Sequence, residues 1–326
     1  MSEINETPAA EEIGANKKRV RRDIFGFLKS PVFGICVTVI FALGVVMLPG
    51  ADLGMLILGK AEWGTQAYND AYSLGNAIFR TIAVVLTVLL LVNLDLKIFS
   101  FKRAVRSYLF CLPFLAVVIN NLPLVGFATK SVTISAGAGS WALYIFNCLT
   151  VGAFEELIFR GTVLTLLLRV LPRSRKGAFG AVMISSAVFG LMHLVNLISN
   201  PAGAVFMQVG YSFLIGAMCA LSLLLTRNIF TSILLHAGFN ICGLLEESLN
   251  EGAAAVKQWP PASIALTAVV GVIVAGYGVF VMLRAVKVDE LKLIFTDGCD
   301  RKTPQENSGE GDLSVNACQN ESNGVK

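Results

Sequence analysis

The stretch that decides the fold is residues 141–168, WALYIFNCLTVGAFEELIFRGTVLTLLL. It is long enough to cross the ~30 Å of bilayer hydrocarbon, which takes about 20 apolar residues in a helix. Yet Glu155, Glu156 and Arg160 stand in its interior. Each such charge costs about 2.5–3.5 kcal/mol at a helix centre on insertion scales, so a cluster of them marks a functional site by default. They are the only formal charges we place inside the hydrocarbon.

Outward from this stretch the chain repeats its apolar length without the charges. Of the 326 residues, 55% are hydrophobic and only 15% charged. Lipid offers no partner to unpaired backbone groups, so such runs must be helices. The expected fold is all-α, a polytopic transmembrane helical bundle of about eight spans. They run over residues 31–48, 77–94, 108–127, 141–168, 177–197, 203–225, 229–245 and 262–283. Pro113 and the Asn120–Asn121 pair interrupt the third, and residues 53–58 are too short to span. The transmembrane domain is thus 31–284, with a polar tail at 1–30 and a mostly disordered C-terminal tail at 285–326.

Orientation follows from the Lys/Arg bias of the connections. One set holds Lys17, Lys18, Arg19, Arg21 and Arg22, then Lys97, Lys102, Arg103 and Arg106, then Arg169, Arg173, Arg175 and Lys176, then Arg227, and finally Arg284, Lys287 and Lys292. The other set holds only Lys60, Arg80, Lys130 and Lys257, with Glu246, Glu247 and Glu251 beside them. Both termini are therefore expected in the cytosol, most simply of a bacterial cell. The first span reads as a signal anchor, because about 30 polar residues precede it. The Lys and Arg residues set topology, so no nucleic-acid partner is expected; the lipid bilayer is the surrounding medium. The seven cysteines form no CxxC pair and read as small apolar or reduced residues.

Glu156 and Arg160 are four apart, share a helix face and can pair. Glu155 points about 100° away and has no charged partner on its own helix. A carboxylate without a partner in low dielectric is a stronger base than one in water, which suits general-base work. The chain has only two histidines, His193 and His236, and both fall in apolar segments. Phe189 precedes His193 by four, and Asn240 follows His236 by four. His236 and Asn240 would project together and could offer two donors to one oxygen, as an oxyanion hole requires. Taken singly, each feature has a structural reading too: an interhelical ion pair for the glutamates, an interhelical hydrogen bond for either histidine. HExxH is absent. A zinc site of Glu155, His193 and His236 stays open, but Asn240 is a poor zinc ligand, so metal-free chemistry without a cofactor is the favoured expectation. No serine has a GxSxG setting, and no aspartate lies deep in a span.

These residues resemble the three motifs of the CAAX protease and bacteriocin-processing family: Glu155-Glu156-x-x-x-Arg160, Phe189-x-x-x-His193 and His236-x-x-x-Asn240. The resemblance covers about residues 141–245. It implies an intramembrane glutamate-type endopeptidase acting on a peptide or a membrane-anchored protein. By position, Glu155 and His193 would activate water, His236 and Asn240 would stabilise the oxyanion, and Glu156, Arg160 and Phe189 would support the site. A zinc-dependent protease using the same residues, or a non-enzymatic immunity or scaffold protein, are the alternatives. Counting ~1.5 Å per residue, Glu155 and His193 fall toward opposite ends of their spans. We expect residues 173–182 to lie along the interface, so that the fifth span starts late enough for the two to meet.

Overall fold

The computed structural model describes residues 30–93, 96–101, 103–250 and 261–294. Of the expected tails, 1–30 and 285–326, residues 1–29 and 295–326 lie outside the described residues, and with them Lys17 to Arg22, Cys299 and Cys318, as do Asp95, Lys102, Glu251 and Lys257. The described residues are helical, without a named strand. The all-α polytopic bundle read from the sequence is what the chain forms.

In chain order the helices are α1 Pro31–Val46, α2 Gly50–Leu58, α3 Gln66–Asn93, α4 Val105–Leu109, α5 Leu115–Asn120, α6 Leu124–Ala128, α7 Ala138–Glu156, α8 Thr165–Val170, α9 Arg175–Met192, α10 Ala202–Thr226, α11 Ile229–Gly243, α12 Leu245–Leu249 and α13 Pro261–Arg284. A π-helical segment, Leu157–Leu164, joins α7 to α8, and 3₁₀ turns cover Leu112–Phe114, His193–Ile198 and Val288–Ile294. Five stretches are long and apolar enough to span: Gln66–Val92, Ala138–Val170, Arg175–Ile198, Ala202–Thr226 and Pro261–Arg284. A sixth arises if α1 and α2, bent by 41°, count as one. The third expected span is broken into α4, α5 and α6, and the seventh is the 15-residue α11. The count of eight thus corresponds to eight apolar stretches, of which five are full-length helices. Pro113, which lacks an N–H, and the Asn120–Asn121–Leu122–Pro123 turn explain the broken third.

Two boundaries differ from expectation in ways that matter for the site. The second span begins at Gln66, not Ala77. Arg80, read as a loop residue, therefore lies near the centre of the 27-residue stretch Gln66–Val92. The fifth span has no interfacial preface: α9 is continuous from Arg175, with Ser174 accepting from the Gly177 N–H as N-cap. The depth mismatch is removed instead by the fourth element. It is 33 residues long, from Ala138 to Val170, so Glu155 sits at its middle.

Small residues let the helices approach. A Cβ at Gly54 would lie 1.7 Å from the Ala71 carbonyl oxygen, and one at Gly75 would lie 1.8 Å from that of Gly50. Backbone-to-backbone contact of this kind binds α2 to α3, since between helices in lipid close packing replaces the hydrophobic effect. Arg227, with φ 53°, turns α10 into α11, and Asn228 caps α11 by accepting from the Phe230 N–H.

Candidate active site

Four elements bring the site together: α7 with its π extension, α9, α10 and α11. Helices α7 and α11 come close at Gly152, where a Cβ would meet the Ala237 nitrogen at 3.0 Å and the Ile233 carbonyl oxygen at 3.1 Å. Ala237 follows His236, and Gly152 precedes Glu156 by one turn. The missing side chain is what brings the imidazole to the carboxylates.

His236 lies between the two glutamates. Its Nδ1 is 2.7 Å from Glu156 Oε1, and its Nε2 is 3.5 Å from Glu155 Oε2. Glu156 also meets Arg160, Nη1 to Oε1, at 3.0 Å, and both side chains are 0% exposed. That approach is at ion-pair distance but off the line a hydrogen bond needs, and the other Glu156 oxygen and the Arg160 Nε and Nη2 have no hydrogen-bond partner among the described residues. The guanidinium instead lies over the Phe189 ring, 4.5 Å from its centroid, an attraction that strengthens where water is excluded. Room for it comes from α10, where a Cβ on Gly216 would sit 3.1 Å from Arg160 Nη2.

Phe189 is the hub. Its ring packs edge-to-face against His193 at 5.1 Å and against His236 at 5.6 Å. His193 stands at the end of α9, its Nδ1 3.0 Å from the Phe189 carbonyl oxygen. A carbonyl only accepts, so Nδ1 carries a proton, and in the neutral ring Nε2 is the nitrogen left to accept. Asn240 follows on α11; its carbonyl accepts from Tyr144 Oη at 3.1 Å, and its side-chain amide makes no hydrogen bond among the described residues.

The structure therefore gathers Glu155, Glu156, Arg160, Phe189, His193 and His236 into one cluster, with Asn240 one turn beyond His236. No direct hydrogen bond or ion pair joins Glu155 to His193; they connect through His236 and Phe189. The Glu156–His236 contact was not anticipated, since sequence spacing reaches only along one helix and this pair is 80 residues apart. Among the described residues no three His, Cys, Asp or Glu side chains group closely enough, as placed, to hold a metal ion. His236 Nδ1 is already committed to Glu156.

Fold and cluster define a class: an integral membrane protein of bundled helices with an acid–histidine centre inside the apolar region. Within it, residues 137–242 match the family model described as Type II CAAX prenyl endopeptidase Rce1-like, in agreement with the family that the three motifs resemble. The matched segment is about a third of the chain and holds the whole cluster. Over that segment the chain is similar to this family. No curated protein and no solved structure matches the chain.

Proposed function

We propose that the chain is an intramembrane endopeptidase that hydrolyses peptide bonds of membrane-associated proteins or peptides with a water activated by Glu155. The observation that carries this reading is His236 held between Glu155 and Glu156, with Nδ1 anchored and Nε2 turned to the more exposed carboxylate. Glu155 takes a proton from water as the oxygen attacks the carbonyl carbon. His193, through its free Nε2, orients that water or relays its proton. The oxyanion that forms is met by the Asn240 amide and by His236, which donates from Nε2 as an imidazolium whose Nδ1–H is already given to Glu156. Collapse breaks the C–N bond, and the proton passes to the leaving amine. Glu156, itself paired with Arg160, holds the His236 ring in one orientation through Nδ1–H, and no step of this mechanism needs a metal. The proposed orientation keeps both termini in the cytosol of a bacterial-type cell.

The test uses the purified full chain in nanodiscs and a quenched fluorescent peptide carrying an S-farnesyl cysteine followed by three apolar residues. Glu155→Gln is expected to abolish cleavage at nearly constant volume, while a chelator leaves the wild type active. Cleavage by Glu155→Gln near the wild-type rate would remove Glu155 as the base. Loss of activity with chelator, restored by Zn²⁺, would replace this mechanism by a metal-dependent one.

A further inference from the structure

Away from the catalytic cluster, a cavity of about 240 Å³ lies between α5, α9, α10, α11 and α13, and no residue of the cluster lines it. Along α13 its wall is one face of the helix: Thr267, Gly271, Val274, Gly278 and Met282 recur every three or four residues. At ~1.5 Å per residue that face is about 22 Å long. One leaflet is about 15 Å deep, half of the ~30 Å hydrocarbon core. Glycine hollows the wall, since a Cβ at Gly271 would meet only Leu214 Cδ1, at 3.8 Å. Phe179, Leu214 and Val279 belong to the lining and are exposed on the bundle, so the cavity opens sideways as a groove. At its far end the asparagines are already used. Asn120 donates to Thr267 Oγ1 at 2.9 Å, and Asn121 donates to the Phe239 carbonyl at 2.7 Å. What the walls offer a guest is therefore almost wholly hydrocarbon. Cavities lined in this way stay dry, and one of about 150 Å³ takes up benzene.

The other end of the groove is basic. Met282 closes the α13 face there, and Arg175 Nη1 donates to its carbonyl at 2.8 Å and to that of Leu283. Arg175 and Phe179 are four apart, so the guanidinium continues the strip of α9 that lines the groove. Lys176 follows Arg175, Arg284 ends α13, and all three side chains are exposed. No carboxylate lies within ion-pair distance of any of them among the described residues. The N-terminus of α9 adds the positive end of its dipole at the same place. We propose that the groove seats an acyl chain of an anionic phospholipid, with the lipid phosphate on Arg175, Lys176 and Arg284. A basic mouth over a slot between spans is the form that selects anionic headgroups, and a guanidinium matches the phosphate oxygens. Phe239 of the wall adjoins Asn240, so the seated chain packs against the helix that carries His236. The site stands apart from the endopeptidase reading and does not depend on it.

The test titrates the purified full chain in detergent with defined lipids and reads bound lipid by native mass spectrometry. Dioleoyl phosphatidylglycerol should bind on the order of 10-fold more tightly than dioleoyl phosphatidylcholine, which has the same chains and no net charge. Dihexanoyl phosphatidylglycerol keeps the headgroup and shortens the chains, and should bind on the order of 100-fold more weakly than the dioleoyl form. Gly271→Phe puts a ring into the groove and should lower affinity for dioleoyl phosphatidylglycerol about 10-fold, with helical content unchanged. Replacing Arg175, Lys176 and Arg284 together by Gln should erase the headgroup preference. Equal binding of the two dioleoyl lipids overturns the phosphate site. Equal binding of long and short chains, or full affinity in Gly271→Phe, overturns the groove as the seat of the chain. If the triple variant does not fold, the headgroup and chain-length comparisons on the wild type decide alone. Displacement of the bound phosphatidylglycerol by an equal concentration of the farnesyl-cysteine peptide would also overturn the proposal, because the groove would then belong to a lipid carried by the substrate.

Discussion

The residue that carries the most electrostatic weight is Glu156, not Glu155. One of its oxygens meets both Arg160 and His236, and neither its own side chain nor that of Arg160 reaches solvent. Removing one partner of a buried pair strands the other, at about 3–5 kcal/mol. Arg160→Ala is therefore expected to lose thermal stability as well as activity. The double replacement Glu156→Leu with Arg160→Met removes both charges at similar volume. Its stability should return close to wild type while cleavage stays lost, because His236 then has no anchor. Melting temperatures of the single and double variants, measured beside activity, check this. A double variant as unstable as Arg160→Ala would mean that the pair stabilises the fold beyond cancelling its own burial cost.

At the scale of elements, the apolar periodicity and the motif order were legible in the sequence. Length and composition alone give an all-α bundle, and the i,i+4 spacing gives Glu156–Arg160 and Phe189–His193 as neighbours on one helix. What the sequence hid has physical reasons. The Glu156–His236 bond depends on how two helices meet, which is decided at Gly152 by the absence of a side chain. The π segment Leu157–Leu164 has no propensity signature; Thr162 Oγ1 reaches back five residues to the Leu157 carbonyl within it, at 3.3 Å. Such insertions gather at functional sites. Arg80 was hidden because Tyr68, Asn69, Asp70 and Asn76 dilute the first turns of its helix. These residues are held by the protein instead of lipid, as when Asp70 accepts from Ser140 at 2.8 Å and Asn69 donates to the Glu247 carbonyl at 3.2 Å. The Gly152 contact gives the prediction for this scale. Gly152→Val forces α7 and α11 apart by an amount the 3.0–3.1 Å clearances cannot absorb. Cleavage should fall by at least about 100-fold, since small misplacements of catalytic groups cost that much, while helical content by circular dichroism stays unchanged. Wild-type activity in this variant would mean that the helix contact does not set the catalytic geometry.

For the whole molecule, the arginines assigned to different connections converge on one end of the bundle. Arg103 and Arg227 both pair with Glu290 in the turn after α13, and Arg175 donates to the Met282 and Leu283 carbonyls. Backbone bonds tie the same region together: Ile229 donates to Ile98 at 2.7 Å and Lys97 to Ile294 at 2.7 Å. The second, fourth and sixth connections therefore share a side with the end of α13, as the Lys/Arg bias requires. Single cysteines placed at Lys176 and at Lys60, in a chain freed of its own cysteines, should label with impermeant maleimide from opposite faces of the membrane, Lys176 from the cytosol. Labelling of both from one face would refute the topology.

Glu290 is the keystone of that end, and its titration is the last expected outcome. Partial burial works to raise its carboxyl, but hydrogen bonds from Lys287 and Arg103 and the charges of the same two residues outweigh it and hold it below the ordinary carboxylate value. A group depressed in the folded state stabilises above its unfolded value, about 4.3 for glutamate. That stabilisation fades as pH falls through the lower folded value. Glu290→Gln should thus lower the melting temperature at pH 7 and make no difference at a pH below both values. Partly exposed pairs contribute up to about 1 kcal/mol, so the drop at pH 7 should be about 2–4 °C at most. High salt should shrink it, because Debye screening weakens exposed pairs. Peptide cleavage should be unaffected at pH 7, since Glu290 belongs to the turn after α13 and not to the catalytic cluster. A stability difference that persists unchanged into acid would show that the side chain acts through packing and not through its charge.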